Sequence, residues 1–240
     1  MIDTHAHLDD PRFDADRDAM MARAAAAGVR GVVVPGVIEA QWPRLRAQAQ
    51  QYGWRFGVGT HPQSLPESRA VPQDLDGADA IGECGLDGPT PVPMDEQVLV
   101  LAAHLALARD AGLPLILHCF RAHDRMLPLL RRYAPLRGVM HSYSGGPELV
   151  DAYVALGLHL SFAGPVTWDN ARKPLNALRR VRKDRLLAET DAPDQCPRPH
   201  RGRSEPAFVV HVIEAMERVR GEALREQLME NACALGWGPR

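Results

Sequence analysis

The sequence predicts an α/β protein built as a single-domain (β/α)8 TIM barrel over residues 1–240. Three observations carry that prediction. Short apolar runs of strand length alternate with helical patterns along the whole chain. About eight such pairs fit the length of the chain, which suits a barrel of eight units. The strands are continuous apolar runs, as expected for a parallel sheet covered on both faces. A doubly wound open sheet is the alternative, but no G-x-G-x-x-G follows the first strand.

The elements follow in order. "MIDTH" is the first strand. The helical "DADRDAMMARAAAAG", closed by Gly28, leads to the second strand, "RGVVVPG". "EAQWPRLRAQAQQYG", closed by Gly53, leads to the third, "WRFGVGT". "ADAIGECG" is the fourth, and the long amphipathic "MDEQVLVLAAHLALARDAG", closed by Gly112, follows it. "LPLILH" and "LRGVMH" are the fifth and sixth, separated by the helix "DRMLPLLRRY". "PELVDAYVALG", closed by Gly157, precedes the seventh, "LHLSFAG", and "ARKPLNALRRV" precedes the eighth, "DRLLAET". A last helical segment covers "SEPAFVVHVIEAMERVR" and "EALREQLMENACALG". Each closing glycine falls where a helix end favours a left-handed residue. "GLDGPTPVPMDE" and "TDAPDQCPRPHRGRS" are proline-rich loops within the domain.

Composition narrows the function classes. The formal net charge is -2, so there is no global basic signal for nucleic acid. Four cysteines form no CxxC pair and point to a reducing compartment. The chain does not open on a charged segment with an apolar run, so no signal peptide is expected. The most apolar stretch, "VLVLAAHLALA", is too short to span a bilayer and carries His104. The expectation is a cytoplasmic protein with no membrane association.

The reactive side chains cluster at strand ends. His5 and His7 end the first strand, Thr60 and His61 the third, Glu83 the fourth, His118 the fifth and His141 the sixth, and Asp191 follows the eighth. In a barrel the C-terminal strand ends converge on one mouth, where the active site lies. Imidazole and carboxylate together bind divalent ions; affinity order and availability, not spacing, choose among zinc, manganese, magnesium and nickel. Strand residues two apart share a face, so His5 and His7 can clasp one ion. Asp3, one step deeper on that face, is placed to accept an imidazole N–H. Glu83 is the natural carboxylate bridge between two ions. The expected sets are His5, His7, Glu83 and Asp191 on the first ion, and Glu83, His118 and His141 on the second. Such a pair activates water and clamps both oxygens of an in-line displacement at phosphorus. Asp191 holds the attacking water and takes its proton, so Asp191 and Glu83 are the expected catalytic carboxylates.

Other residues carry weaker expectations. His61 either orients a phosphate or leaving group or shapes the turn before Pro62. His104, His159 and His211 suit packing or surface roles, whereas His123 opens a helix and is a candidate substrate contact. Alternation turns Cys84 and Cys119 toward the helix layer. "PRPHRGR" follows the eighth strand, so Arg198, His200, Arg201 and Arg203 are candidate phosphate contacts. Phe120 and Trp168 are candidate base-stacking platforms or packing residues.

Read together, "MIDTHAHLD", "VGTHP", "IGECGLD", "LILHCFRAHD", "GVMHSYSGG", "LSFAGPVTW", "LLAETDAP", "SEPAFV" and "ENACALG" resemble the TatD family of metal-dependent hydrolases, within the wider amidohydrolase-like barrels. The motifs run in family order over almost the whole chain, and "LILHCFRAHDRMLPLL" is similar to the YjjV-like branch. The resemblance implies divalent metals and phosphodiester hydrolysis, with deoxyribonuclease activity that includes trimming single-stranded 3′ ends. It places the family ligands on His5, His7, Glu83, His118, His141 and Asp191. Three departures stand out. Phe120 replaces an arginine common two residues after the fifth-strand histidine, and Arg121 next to it is a further candidate substrate contact. Gly88, Pro89 and Thr90 follow "GLD" where aromatic residues are usual, and Ser204 replaces an asparagine. The Phe120 change puts one phosphate contact in question. The only lysines, Lys173 and Lys183, lie in the seventh-helix region, so no carboxylated lysine rivals Glu83 as bridge.

The expected function is a metal-dependent deoxyribonuclease acting from a 3′ end on single-stranded DNA or frayed ends. One rival is a hydrolase of a small ester, lactone or phosphate ester. Another is a non-catalytic metal-bound barrel that binds nucleic acid or protein. A wide basic mouth favours the nuclease, a closed apolar pocket the small-molecule hydrolase, and a lost ligand the binding module.

Overall fold

In the computed structural model, which describes residues 1–240, the strands pair in parallel and in chain order. They are β1 (Ile2–Asp3), β2 (Gly31–Pro35), β3 (Arg55–Val58), β4 (Ala80–Asp87), β5 (Leu115–Phe120), β6 (Gly138–Met140), β7 (Leu158–Phe162) and β8 (Leu186–Ala188). The helices are α1 (Arg17–Ala26), α2 (Trp42–Tyr52), α3 (Met94–Ala111), α4 (His123–Arg131), α5 (Val150–Ala155), α6 (Arg172–Arg180), α7 (Val209–Arg220) and α8 (Arg225–Ala234). The ring closes between β8 and the segment after β1. There Thr4 N–H donates to Ala188 O (3.2 Å), Asp191 N–H to His5 O (2.9 Å) and His7 N–H to Ala192 O (2.7 Å). This seam sets both N-terminal histidines beside Asp191.

Two apolar layers hold the barrel. One interior layer joins Ile2, Val33, Ala80, Ile116, Val139 and Leu187, each from a different strand, and Leu235 and Trp237 close it at the N-terminal end. The larger cluster packs the outer strand faces against the helices. Gly53 and Gly112 end α2 and α3 in the left-handed conformation (φ 70° and 66°), as their positions in the sequence predict.

The structure corrects three element expectations. β3 is followed by a short 3-10 turn, Pro62–Ser64, and not by an α-helix. The last helical segment is two helices, broken at Gly221 (φ 68°). Glu83 does not end its strand but lies within β4. Its place follows from a register shift against β5 between Ile81 and Cys84. An irregularity of this kind re-aims a side chain, and Glu83 meets the residues at the mouth from inside the strand. Gly85 makes the approach possible, because a Cβ there would overlap the carbonyl oxygen of His118.

Candidate metal centre

All six side chains expected as ligands meet at the C-terminal mouth. Glu83 stands at the centre, buried, and its two oxygens face different imidazoles. Oε2 lies 3.3 Å from His5 Nε2 and 3.5 Å from His7 Nε2. Oε1 lies 2.8 Å from His141 Nε2, 3.2 Å from His118 Nδ1 and 3.3 Å from His61 Nε2. Asp191 Oδ1 completes the first set at 3.6 Å from both His5 Nε2 and His7 Nε2, which are themselves 3.2 Å apart. In the second set His118 Nδ1 and His141 Nε2 are 3.1 Å apart.

These spacings fit a metal. A tetrahedral site with bonds of about 2.0–2.1 Å has ligand–ligand edges of roughly 3.3–3.4 Å. The observed edges scatter around that value, and the donor atoms are the imidazole nitrogens and carboxylate oxygens that divalent ions take. Three groups each bring donors within 4.8 Å of one another: His5, His7 and Glu83; His61, Glu83 and His118; and His5, His141 and Glu189. His61, whose role was open between substrate orientation and turn shaping, thus lies among the donors. It also shapes the turn, since its Nδ1 accepts from Gln63 N–H at 3.2 Å.

The charges are balanced inside the cluster. Burial pushes the Glu83 carboxyl up, but the imidazoles of His141, His61 and His5 outweigh it and hold it well below the usual carboxylate range. Asp191 is held low in the same way, against burial, by His7, His141 and His5. Burial lowers His141, yet Glu83 and Glu189 raise it well above the ordinary histidine value. His7 is raised to about 9 by Asp191 and Glu83 against its own burial. In the apo protein, protons on imidazoles supply the positive charge that the carboxylates require. A metal bound there would displace protons, since ligands must be deprotonated.

Residues not anticipated from the sequence orient the donors. Glu189, fully buried, faces His141 Nδ1 at 3.4 Å and accepts from Ser142 N–H at 2.6 Å and from the Ser161 hydroxyl. Asp87 Oδ2 faces His118 Nε2 at 3.3 Å and accepts from Gln63 Nε2 at 2.7 Å. A carboxylate behind a histidine fixes the tautomer and raises ligand basicity. Gln195 donates to Asp191 Oδ2. Asp191 and Gln195 both hold positive φ, 55° and 46°, a strained backbone of the kind found at functional sites. Alternation carried the signal for Glu189, which lies two residues before Asp191 just past β8.

Asp3 does not act as expected. Its carboxylate accepts from Thr190 N–H (2.9 Å), the Thr190 hydroxyl (2.6 Å) and His5 backbone N–H (3.3 Å), not from an imidazole. Burial pushes it up to about 8 against those bonds. It ties the two ends of the barrel seam together. His123 also departs from its expected role: its Nδ1 meets the Tyr153 hydroxyl at 2.6 Å and Cys119 Sγ at 3.3 Å, away from the metal-ligating atoms. Cys84 and Cys119 are buried thiols, as alternation predicts, though Cys119 also reaches a cavity wall.

Two cavities open from the cluster. One, of about 350 Å³, is polar and acidic, with Asp9, Asp10 and Asp194 along its wall. Its only arginine, Arg12, is engaged by Asp10 and Asp194 at 2.9 Å each. The other, of about 420 Å³, is mainly apolar and shares His118, His141 and Asp191 with the cluster. Arg121, Arg198, Arg201 and Arg203 line neither. Arg203 in particular is corrected as a phosphate contact: its guanidinium pairs with Asp16 (2.7 Å), donates to Arg12 O (2.7 Å) and lies over the Phe13 ring. The loop that carries it folds back onto the segment before α1. Lys173 and Lys183 also lie outside both cavities, which leaves Glu83 without a lysine rival.

Known proteins are similar to this chain over almost its whole length. The family model for TatD-related DNases matches residues 2–235. The metal-dependent hydrolase YabD of Bacillus subtilis (strain 168) is 33% identical over 238 residues, covering 94% of this chain and 93% of its own. The 3′-5′ ssDNA/RNA exonuclease TatD of Erwinia billingiae (strain Eb661) is 35% identical over 254 residues, covering 97% of each. The crystal structure of YjjV, a TatD homologue from Escherichia coli K12, superposes with a TM-score of 0.91 at 31% identity, covering 98% of this chain and 97% of the other. No helix of the chain is long and apolar enough to cross a membrane.

Proposed function

The chain belongs to the TatD-related DNase family, and on that premise we propose that it hydrolyses phosphodiester bonds of nucleic acid, trimming single-stranded DNA from a 3′ end with two divalent ions held on either side of Glu83. The observation that carries this reading is the division of the Glu83 oxygens between two sets of imidazoles. His5, His7, Glu83 and Asp191 would hold one ion; Glu83, His118 and His141, with His61 in reach, would hold the other. Divalent ions at these positions supply Lewis acidity and positive charge to the phosphoryl oxygens. Zinc, manganese, magnesium and nickel are the ions this donor set admits.

The protein groups supply the rest. Asp191, fixed by Gln195 and grouped with His5 and His7, is placed to orient the attacking water and accept its proton. Glu189 and Asp87 lie behind His141 Nδ1 and His118 Nε2, and with a metal bound they would favour the tautomers that leave Nε2 of the first and Nδ1 of the second as lone-pair donors. The four free cysteines favour a reducing, cytoplasmic setting.

One observation favours the rival reading, a small phosphate ester as substrate: the acidic wall of Asp9, Asp10 and Asp194 repels an extended phosphate backbone. The deciding experiment incubates purified protein with labelled single- and double-stranded DNA, RNA and simple phosphodiesters, with and without manganese, magnesium or zinc. Metal-dependent shortening of single-stranded DNA from the 3′ end is expected. Turnover of simple phosphodiesters with every polynucleotide left intact would replace this reading with the rival.

A further inference from the structure

Three large apolar side chains of the protein stand exposed, Leu99, Phe120 and Trp168, and two of the three line one cavity. Phe120 is 39% exposed and Trp168 36%. Phe120 ends β5, two residues past His118, and the cavity floor is made by His118, His141 and Asp191. Phe162, Pro165, Val166 and Pro174 complete the apolar wall. Such aromatic exposure next to a reactive centre leaves apolar area in water that a flat ring can cover. The Trp168 ring is held, because Nε1–H donates to Cys196 O at 3.1 Å. Arg121 lies over the Phe120 ring, 5.2 Å from its centroid.

The polar side chains of this cavity are already engaged. Ser142 Oγ donates to Gln195 Oε1 (2.9 Å), Ser144 Oγ to Cys119 O (3.0 Å) and Gln63 Nε2 to Asp87. Little remains to read the hydrogen-bonding edge of a ligand, whereas the apolar faces are open. That combination suits ring stacking, which every nucleobase offers and which tolerates any sequence.

We propose that Phe120 and Trp168 form a stacking site for the unpaired base attached to the scissile phosphate, and so determine selection of unstacked strand ends. The inference rests on the phosphodiesterase reading above. A base within a duplex has both faces covered by its neighbours and cannot enter; a frayed or single-stranded base can. The cavity volume of about 420 Å³ is ample for one base. The acidic wall of Asp9, Asp10 and Asp194 lies in the other cavity, away from the aromatic pair.

The test compares cleavage of a single-stranded oligonucleotide with an ordinary or an abasic 3′ terminus by the metal-loaded protein and by Phe120→Ala, Trp168→Ala, Trp168→Phe and Leu99→Ala. Loss of one stacked base raises KM by about 5- to 150-fold. The wild type and Leu99→Ala should therefore prefer the ordinary end by such a factor, with little difference among the four bases. In Trp168→Ala and Phe120→Ala the ratio of the two KM values should fall toward one, and Trp168→Phe should restore most of it. Equal KM for ordinary and abasic ends in the wild type, or an unchanged ratio in Trp168→Ala, overturns the stacking site while the nuclease reading stands. A second measurement separates the two claims if no polynucleotide is cut. Nucleoside monophosphate and deoxyribose 5-phosphate are titrated against Trp168 fluorescence, with Trp168→Phe as the blank. Tighter binding of the nucleotide supports the stacking site and removes only the nuclease reading; equal binding overturns the stacking site.

Discussion

Replacing Glu189 by glutamine separates the two halves of the metal centre. The side chain keeps its shape and one carbonyl oxygen, so the Ser142 N–H (2.6 Å) keeps its acceptor. What is lost is the negative charge 3.4 Å from His141 Nδ1 in a fully buried setting. That charge holds the imidazole in one tautomer and raises the basicity of Nε2, which points at Glu83. Removing a carboxylate behind a metal-bound histidine costs about 10- to 100-fold in affinity, about 1.4–2.7 kcal/mol. The ion shared by Glu83, His118 and His141 should weaken by that factor. The ion held by His5, His7 and Asp191 should weaken less, because Glu189, although it lies within 4.8 Å of a His5 nitrogen, makes its ion pair with His141. Calorimetric titration of apo protein with zinc or manganese, against a competing chelator, resolves the two classes of site. Circular dichroism confirms that the variant is folded. Two unchanged affinities, or an equal loss at both sites, would refute the assignment of Glu189 to His141. Complete loss of one ion would make Glu189 a ligand itself.

Three further outcomes are expected. Asp191→Asn should keep the fold and abolish turnover, measured as metal-dependent phosphodiester cleavage alongside thermal unfolding; full activity would remove Asp191 from the chemistry. Gly85→Ala should fail to fold or lose several kcal/mol of stability, because its Cβ overlaps the His118 carbonyl across the β4–β5 pairing; a urea midpoint close to that of the wild type would contradict the close approach. His159, in β7, is held neutral to about 4, first by burial and then by Arg185. Its folded pKa is depressed, so the unfolded chain binds the extra proton as pH falls below about 6.5, and stability drops toward pH 4 by up to about 1.4 kcal/mol per unit. His159→Leu should remove that share of the slope in urea unfolding at pH 7, 6 and 5; an unaltered slope would show that the imidazole charges freely in the folded state.

Local pattern made much of this protein legible. Strand-length apolar runs and helix-closing glycines are short-range features, and they predict eight parallel strands in order. The placing of His5, His7, His118, His141 and Asp191 also follows from local position, because a residue at a strand end in a closed barrel has only the mouth to face. The alternation of strand and helix fails between β3 and β4, where Thr60 to Asp79 has no helical periodicity, and Gly221 divides the last helical segment into two helices.

By itself, then, the sequence determined the barrel, the mouth and the six ligand-type side chains, because backbone periodicity and strand direction dictate them. Only the tertiary structure decided which oxygen of Glu83 faces which imidazole, since a register shift between two strands sets that angle. It alone brought Glu189 and Asp87 behind their histidines. It also settled the fate of the charged loop after β8: Arg203, a candidate phosphate contact, pairs with Asp16 from the far end of the chain. Ion pairs form between whatever charges the fold brings within a few ångström, and one-dimensional spacing does not encode that distance.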